Sequence, residues 1–248
     1  MALVTSVKKV RKHMDVEIDG ERFHVSLPIF QERPLEEGMD VDLEAYRQFL
    51  LIRQYPSAMK SAGSLLSAKG YSEKELENTL VRGGYMRETA EMVVLKLHLA
   101  GFLNDEAYAE IFVQSHAEAG HGHKRIEQDL KRKGVDQDTI REALDNLDPE
   151  TMKTMAAALV RRTLSHAHGR PGDTRRRLDD RAIGMLLRRG YSYDEAREAL
   201  QTVREELDED MDDEAFSGPT EEEQLESARA LVRKQLSRPD SGDPRKTS

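Results

Sequence analysis

The sequence predicts a mainly α-helical protein in which tandem three-helix repeats form an elongated, curved stack after a small N-terminal extension containing a β-hairpin. Two observations predict this class. A short phrase ending in glycine recurs through the middle of the chain, and apolar residues at helical spacing follow each copy. Near the start, the dipeptide Asp19-Gly20 separates two alternating apolar runs, which is a strong short-range signal for a β-hairpin.

The recurring phrase is Leu-x-x-x-Gly, and its three copies occupy residues 80–84, 130–134 and 186–190. The closing glycines are therefore 50 and 56 residues apart. Helical units of this size cannot bury their apolar faces alone, so they stack on their neighbours. The spacing predicts three consecutive three-helix repeats, at residues 54–103, 104–147 and 148–204.

Residues 1–53 are predicted to form the N-terminal extension. Apolar residues alternate with polar ones around Val16 and around Phe23, as in strands that bury one face. An isolated two-stranded hairpin is only marginally stable in water. We therefore expect the hairpin to pack against the helix that the sequence predicts from Asp42 through Ile52.

The central repeat has the clearest helix boundaries. Asn104 and Asp136 are suited to cap its first and third helices, because their side chains accept hydrogen bonds from unpaired backbone N–H groups. Gly120-His121-Gly122 separates the first helix from the second. The second helix ends in the cations of 131–133 before Gly134, which suits the negative end of a helix and its left-handed cap. The first helix is expected to carry three apolar residues on one face, namely Tyr108, Ile111 and Phe112.

The flanking repeats carry matching but sparser signals. The segments 72–75 and 192–195 both read Ser-x-x-Glu, which is the spacing of a capping box. Asp148-Pro149 predicts the start of the third repeat, with a cap followed by proline in the first turn. The counterpart of the central Gly-x-Gly turn is longer in the third repeat, at residues 165–172, and is expected to be a mobile loop.

The net charge of −9 is concentrated at the C-terminal end of the chain. Residues 205–248 contain 14 acidic and 6 basic residues, whereas residues 149–204 contain 12 basic and 7 acidic ones. Acidic segments with few apolar residues cannot bury enough surface to fold. The sequence therefore predicts that residues 205–248 form a largely disordered tail, with one short helix at 220–237.

Catalytic and metal chemistry find little support in the sequence. The chain has no cysteine, which excludes thiolate catalysis and cysteine-ligated zinc. Two histidine pairs, His121 with His123 and His166 with His168, lie in glycine-rich loops without further ligands at suitable spacing, and we interpret them as exposed loop histidines. No phosphate-binding or nucleophile motif is present. We expect no enzyme activity, no metal and no cofactor.

Neither a membrane span nor a secretion signal is predicted. No apolar run approaches the roughly 18 to 20 residues that cross a bilayer. The N-terminus also lacks the basic and then apolar pattern of a signal peptide. We therefore expect a cytoplasmic protein, and we expect it to be a monomer.

Clustered cations are the candidate partner-binding residues. They lie in the second and third repeats, where the clusters 131–133 and 188–189 occupy equivalent positions. They are either a solvated face of helix-terminal cations or a stripe that contacts phosphate or an acidic protein surface. Few aromatic residues lie near them, so base stacking is not expected. The candidates are Lys124, Arg125, Lys131, Arg132, Lys133, Arg161, Arg162, Arg175, Arg176, Arg177, Arg181, Arg188 and Arg189.

The central repeat also carries a family resemblance. An Asp-containing turn, an aromatic helix, a Gly-x-Gly turn, Arg-Ile and then Leu-x-x-Lys-Gly-Val follow one another, and this order resembles the RecX family of recombination regulators. The resemblance covers residues 55–204. The residues that carry it are Asn104, Asp105, Phe112, Gly120, Gly122, Arg125, Ile126, Leu130, Lys133, Gly134 and Val135.

The resemblance implies a non-enzymatic regulator of the RecA recombinase. RecX-like proteins lie in the helical groove of the RecA filament and modulate, usually restrain, its assembly and its activity in DNA recombination, DNA repair and the SOS response. A curved repeat array suits such a partner, because it presents a long surface to successive protomers. A second reading stays open, in which the array binds single- or double-stranded DNA through phosphate contacts. Binding of that kind weakens steeply as salt rises.

Overall fold

The computed structural model describes residues 1–165 and 174–216, and side chains as far as residue 208. The loop predicted after Ser165, the His166–His168 pair and the helix predicted at 220–237 lie outside the described residues. The chain opens with a four-stranded antiparallel sheet of order β3-β2-β1-β4. Its strands are β1 (Ala2–Val10), β2 (His13–Ile18), β3 (Glu21–Ser26) and β4 (Asp40–Val41).

The rest of the described chain is helical, which confirms the predicted mainly α class. The helices are α1 (Leu27–Glu32), α2 (Leu43–Ala68), α3 (Glu73–Arg82), α4 (Arg87–Leu99), α5 (Asp105–Glu118), α6 (His123–Lys133), α7 (Gln137–Asp145), α8 (Pro149–Ser165), α9 (Arg175–Arg188) and α10 (Tyr193–Phe216). The three repeats comprise α2–α4, α5–α7 and α8–α10. Within the described residues, no helix combines the length and the apolar character that a bilayer crossing requires.

The predicted hairpin joins β2 to β3. Its two turn residues have positive φ, +47° at Asp19 and +84° at Gly20, as a two-residue turn matched to the strand twist requires. Val16 and Phe23 face the same core, where they meet Tyr46 and Leu50 from the start of α2. The hairpin therefore packs against α2, as the sequence predicts.

Helix α2 extends across the predicted boundary at residue 53, so one helix serves both the extension and the first repeat. Its first half places Tyr46 and Leu50 in the sheet core, and its second half places Ala58 and Ala62 in the core of the first repeat. Pro56 lies inside the helix. The division of the chain into five segments stays a prediction, and its first boundary falls within this continuous helix.

Gln54 connects the sheet to the first repeat at the middle of α2. Its side chain is 3% exposed. The amide nitrogen donates to the carbonyl oxygen of His24 at 3.3 Å, and the amide oxygen accepts from the backbone N–H of Met86 at 2.9 Å. Because both ends of this buried amide are paired, its burial avoids the cost of an unsatisfied polar group.

Three hydrophobic cores follow one another along the described part of the chain. The first lies between the sheet and α2, and the second lies inside the first repeat. The third is shared by the second and third repeats, with Ile126, Leu130 and Leu186 among its fully buried side chains. Successive cores of this kind are the organisation of a repeat array, in which each unit packs on its neighbours.

Two local predictions need correction. Ile111 is predicted to be buried but is 71% exposed. Helix α5 instead buries the adjacent face, which carries Ala109, Phe112 and Val113. The acidic segment after Leu207 is also not disordered at its start, since α10 continues to Phe216. There Leu207 packs against the shared core of the second and third repeats.

The helix caps follow the predictions closely. Asn104 accepts from Ala107 N–H at 2.9 Å, and Asp136 accepts from Asp138 N–H at 2.8 Å. Ser192 and Glu195 form a reciprocal capping box, in which each backbone N–H donates to the other side chain. These caps begin α5, α7 and α10 where the sequence places them.

The glycines that close the recurring phrase all adopt the left-handed conformation. Their φ angles are +95° at Gly84, +82° at Gly134 and +91° at Gly190. A residue with a side chain pays about 1–2 kcal/mol for this conformation, whereas glycine adopts it readily.

The same three glycines lie where each repeat meets the preceding part of the chain. A Cβ atom built on Gly84 would lie 2.5 Å from the His24 ring in the sheet. The equivalent atoms on Gly134 and Gly190 would lie 2.5 Å from the Cβ of Lys74 and 2.6 Å from that of Arg125. Glycine is therefore required at these positions for two reasons: the left-handed turn and the close approach of the neighbouring unit.

We predict that Gly134→Ala destabilises the protein more than Gly38→Ala. Both positions have a similar positive φ, +82° and +89°, but a Cβ at Gly38 meets nothing within 4 Å. Gly38→Ala should cost only the backbone strain of about 1–2 kcal/mol. Gly134→Ala should lose about 1–3 kcal/mol more from the clash with Lys74. Urea unfolding measures both values, and equal losses would contradict the close approach.

Candidate partner-binding surface

The second helices of neighbouring repeats meet end to start. At the second joint, between α9 and α6, the backbone N–H of Gly122 donates to the carbonyl of Arg189 at 2.8 Å. The N–H of Lys124 donates to the carbonyl of Gly190 at 3.1 Å. Helix ends leave such N–H and C=O groups without partners inside the helix, so these bonds satisfy both ends at once.

At the first joint, between α6 and α3, a side-chain hydroxyl takes the place of the backbone N–H donor. The hydroxyl of Ser72, which caps α3, donates to the carbonyl oxygen of Lys133 at 2.6 Å. Glu75 then pairs with the ammonium of Lys133 at 2.9 Å. The cations of α9 and α6 therefore follow one another along a single path of linked helices.

Lys133 is held inside the first joint. Its side chain is 26% exposed, and its ammonium lies 5.9 Å and 5.6 Å from the ring centres of Tyr108 and Phe112. Burial lowers the pKa of Lys133, but the hydrogen bonds to Glu75 and Tyr108 outweigh it and leave the pKa above its ordinary value. Lys133 is therefore part of the joint, and a charge reversal there would disturb the fold as well as any binding surface.

Three other cations of α6, Arg125, Lys131 and Arg132, are at the surface and are paired within their own helix. Lys131 contacts Glu127 at 2.7 Å, one turn earlier. Arg132 pairs with Asp129, which also lies 3.9 Å from Arg125. Exposed pairs of this kind contribute little to stability, so an acidic partner can replace them at small cost.

The cations of the third repeat are partly covered by α10. Arg161 makes a two-pronged contact with Glu206, with its closest nitrogen at 2.7 Å, and Arg175 lies 3.4 Å from Asp208. Three further arginines, Arg162, Arg177 and Arg181, also make interactions. Within residues 1–165 and 174–208, the structure records no ion pair for Lys124, Arg176 and Arg188. The acidic start of the predicted tail therefore lies against candidate binding residues.

His121 and His123 differ from the exposed loop histidines that the sequence predicts. Both are half-buried at the second joint. The Nδ1 atom of His123 lies 2.9 Å from Glu195 of α10, and this contact raises the pKa of His123. The same hydrogen bond, with those from Ser192, lowers the pKa of Glu195 to about 2. Burial lowers the pKa of His121, and the charge of Arg125 lowers it further.

An exposed apolar face on α4 was not predicted. Met92, Leu95 and Leu99 lie at spacings of three and four residues, which places them on one side of the helix. Phe102 follows in the turn and is 71% exposed. The sequence did carry a signal for this exposed face, because the apolar residues of α4 occupy more than one side of the helix. A helix that buries one side needs only one apolar stripe.

The comparisons with known proteins agree with the fold and the repeat pattern. A family model described as RecX, second three-helix domain, matches residues 104–144. The regulatory protein RecX of Thermobifida fusca (strain YX) is 36% identical over 158 residues, which are 63% of this chain and 82% of the relative. The chain belongs to the RecX family.

Further relatives extend the match. The regulatory protein RecX of Lactobacillus delbrueckii subsp. bulgaricus (strain ATCC 11842) is 30% identical over 217 residues, covering 86% of this chain and 79% of the relative. A crystal structure of RecX from Lactobacillus salivarius has a TM-score of 0.55 at 22% identity, and covers 62% of this chain and 98% of that one. A crystal structure of regulatory protein RecX has a TM-score of 0.54 at 20% identity, with coverage of 83% and 100%. The RecX relatives are named for regulation and not for a catalysed reaction.

We predict that the His123–Glu195 pair stabilises the fold most between about pH 4.5 and 6.5. The raised pKa of His123 means that its contribution is complete below its unfolded value and is lost as pH rises through the folded value. The lowered pKa of Glu195 means that its contribution is lost as pH falls towards about 2. Because the side chains are 42% and 32% exposed, the coupling should be only about 0.5–1 kcal/mol.

A double-mutant cycle of His123→Gln and Glu195→Gln measures this coupling in thermal unfolding at pH 5.5 and at pH 9. We expect a measurable coupling free energy at pH 5.5 and none at pH 9. A coupling of the same size at both pH values would show that the pair is not ionic.

Proposed function

We propose that this RecX-family chain binds the RecA recombinase filament and restrains its recombination and ATPase activities in DNA repair and the SOS response. The observation that carries the proposal is family membership, which rests on the Thermobifida fusca relative. The protein would act by binding and not by catalysis, as a monomer in the cytoplasm. Curved repeat arrays suit this role because their surfaces extend along several protomers of a filament.

The linked path of α9 and α6 is the first candidate contact for RecA. Two of its surface cations, Lys131 and Arg132, are paired with acids on the same helix. An acidic protein surface could take over these contacts, and charge complementarity of this kind mainly sets partner choice and association rate. The exposed apolar face at the end of α4 supplies a second kind of contact, since exposed apolar patches commonly mark protein interfaces.

We predict that the purified chain slows the single-stranded-DNA-dependent ATP hydrolysis of RecA at substoichiometric ratio. Lys131→Glu with Arg132→Glu should weaken this effect by about tenfold in apparent affinity, because two exposed charge contacts of about 0.7 kcal/mol each are lost. Lys133 is left unchanged, since it holds the first joint. A coupled ATPase assay over a concentration series of each variant measures the effect.

The matched control is Arg141→Glu with Lys153→Glu. This control changes the net charge by the same amount as the 131/132 variant. Each substitution also breaks a local ion pair, that of Arg141 with Asp138 and that of Lys153 with Glu150. The control should inhibit like the unchanged chain. Full activity of the 131/132 variant would exclude this cluster as the contact, and no inhibition by the unchanged chain would exclude the proposed function.

A second candidate function is direct DNA binding, and the contacts of α10 favour testing it. Glu206 and Asp208 lie against Arg161 and Arg175, where DNA phosphates would otherwise bind. An acidic segment on the same chain competes with phosphates at high effective concentration. The DNA affinity of the array would therefore be held low unless another contact adds to it.

We predict that Glu206→Gln with Asp208→Asn tightens binding to a duplex oligonucleotide by about threefold to tenfold at low salt, because two arginines are released for phosphate contacts. The difference should fade as salt rises, since the screening length falls to about 8 Å at physiological ionic strength. Fluorescence anisotropy across a salt series measures it.

The control is Glu205→Gln with Glu198→Gln, which removes the same charge from α10 without touching Arg161 or Arg175. Charge neutralisation is preferable to truncation after Arg204, because α10 and its contact through Leu207 continue beyond that residue. Equal DNA affinities for the unchanged chain and the 206/208 variant would end the masking hypothesis.

A further inference from the structure

The hairpin brings together two histidines and an aspartate that the sequence keeps apart. His13 and Asp15 are two residues apart on β2, so they point to the same face of the sheet. His24 lies on β3 directly opposite Asp15 in the strand pairing. The opposite face of β2 carries Val16 and Ile18 into the core. The three polar side chains therefore project together from the outer face of the hairpin.

Their ligand atoms are close enough for one ion. The Oδ1 atom of Asp15 lies 2.6 Å from Nδ1 of His24 and 3.9 Å from Nε2 of His13. Two atoms that bind one tetrahedral zinc ion at about 2.0–2.1 Å are about 3.3 Å apart, and the two observed distances lie on either side of this value. The imidazole rings are also adjacent, with centres 3.3 Å apart. Among the described residues, this is the one group of three such side chains whose ligand atoms all lie within 4.8 Å of one another.

We propose that His13, Asp15 and His24 bind a divalent transition-metal ion of the zinc type. Two imidazoles and one carboxylate are ligands that zinc prefers, whereas magnesium prefers sites made of oxygen atoms. The side chains are 26%, 50% and 40% exposed, so the ion can enter from solvent and keep a fourth position for water. Three ligands with an open fourth position are sufficient for a tetrahedral ion.

The position of the site gives the ion a structural effect. The His24 ring packs against Gly84, the glycine through which the first repeat meets the sheet. An ion held by His24 would fix this ring and connect β2 to β3 beside that contact. Because the ion binds only when the hairpin is folded, it stabilises the sheet and its contact with the first repeat.

The experiment is calorimetric titration of ZnCl2 into the full chain prepared without a histidine tag. We expect one zinc ion per chain and a higher unfolding temperature with zinc, and we expect no saturable binding of MgCl2. His13→Gln and Asp15→Asn should each weaken zinc binding by at least about tenfold, since even the loss of an outer-shell partner costs about 10- to 100-fold.

The matched control is His98→Gln. His98 is also an exposed histidine against a carboxylate, with Nδ1 at 2.6 Å from Glu73, but in the described part of the chain this pair belongs to no three-ligand group. It should bind zinc like the unchanged chain. Circular dichroism checks that the variants are folded, and zinc-induced changes in the ring NMR signals of His13 and His24 test the unchanged chain directly. Absence of those changes, or equal losses in the His13 and His98 variants, would overturn the proposal.

Discussion

The end-to-start junction of the second helices is the contact on which the array depends. The carbonyls of Arg189 and Gly190, just past the end of α9, accept from N–H groups at the start of α6, and the carbonyl of Lys133 at the end of α6 accepts from the hydroxyl of Ser72 at the start of α3. These are the backbone groups that a helix cannot satisfy by itself. Their pairing also places the negative end of one helix dipole against the positive end of the next. The register between repeats is thus fixed by hydrogen bonds, and hydrophobic burial alone would not fix it so narrowly.

This junction explains where the cations lie. The last turns of α6 and α9 favour positive side chains because of the helix dipole, so basic residues recur beside each joint. Burial distinguishes these residues. Lys133 lies inside the joint and pairs with Glu75, whereas Arg132 lies at the surface and pairs with Asp129 of its own helix. In the third repeat, acids of α10 cover Arg161, so a surface that could bind an acidic partner is partly closed by the chain itself.

Local chemistry made much of the fold predictable from the sequence. The Asp19-Gly20 turn, the caps at Asn104 and Asp136 and the phrase-closing glycines depend on neighbours within a few residues, so their signals can be read directly. The repetition of one phrase also indicated the tandem units, because a repeat array uses the same packing solution several times. The family resemblance followed from the same central residues. For the turn and the caps, the physical cause lies in the conformation of a short segment.

The tertiary structure alone decided features that depend on distant partners. Periodicity placed Ile111 on the apolar face of α5, but the neighbouring helices bury the adjacent face instead. In the sequence, Lys133 resembles any other helix-terminal cation, and only the packing of α3 places Glu75 beside it. Likewise, the register of the hairpin brings His24 to His13 and Asp15, although no spacing in the sequence links them. The sequence by itself determined the helical class, the recurring phrase and the local caps and turns, whereas burial, pairing and the metal-ligand cluster required the packing of segments that are far apart in the chain.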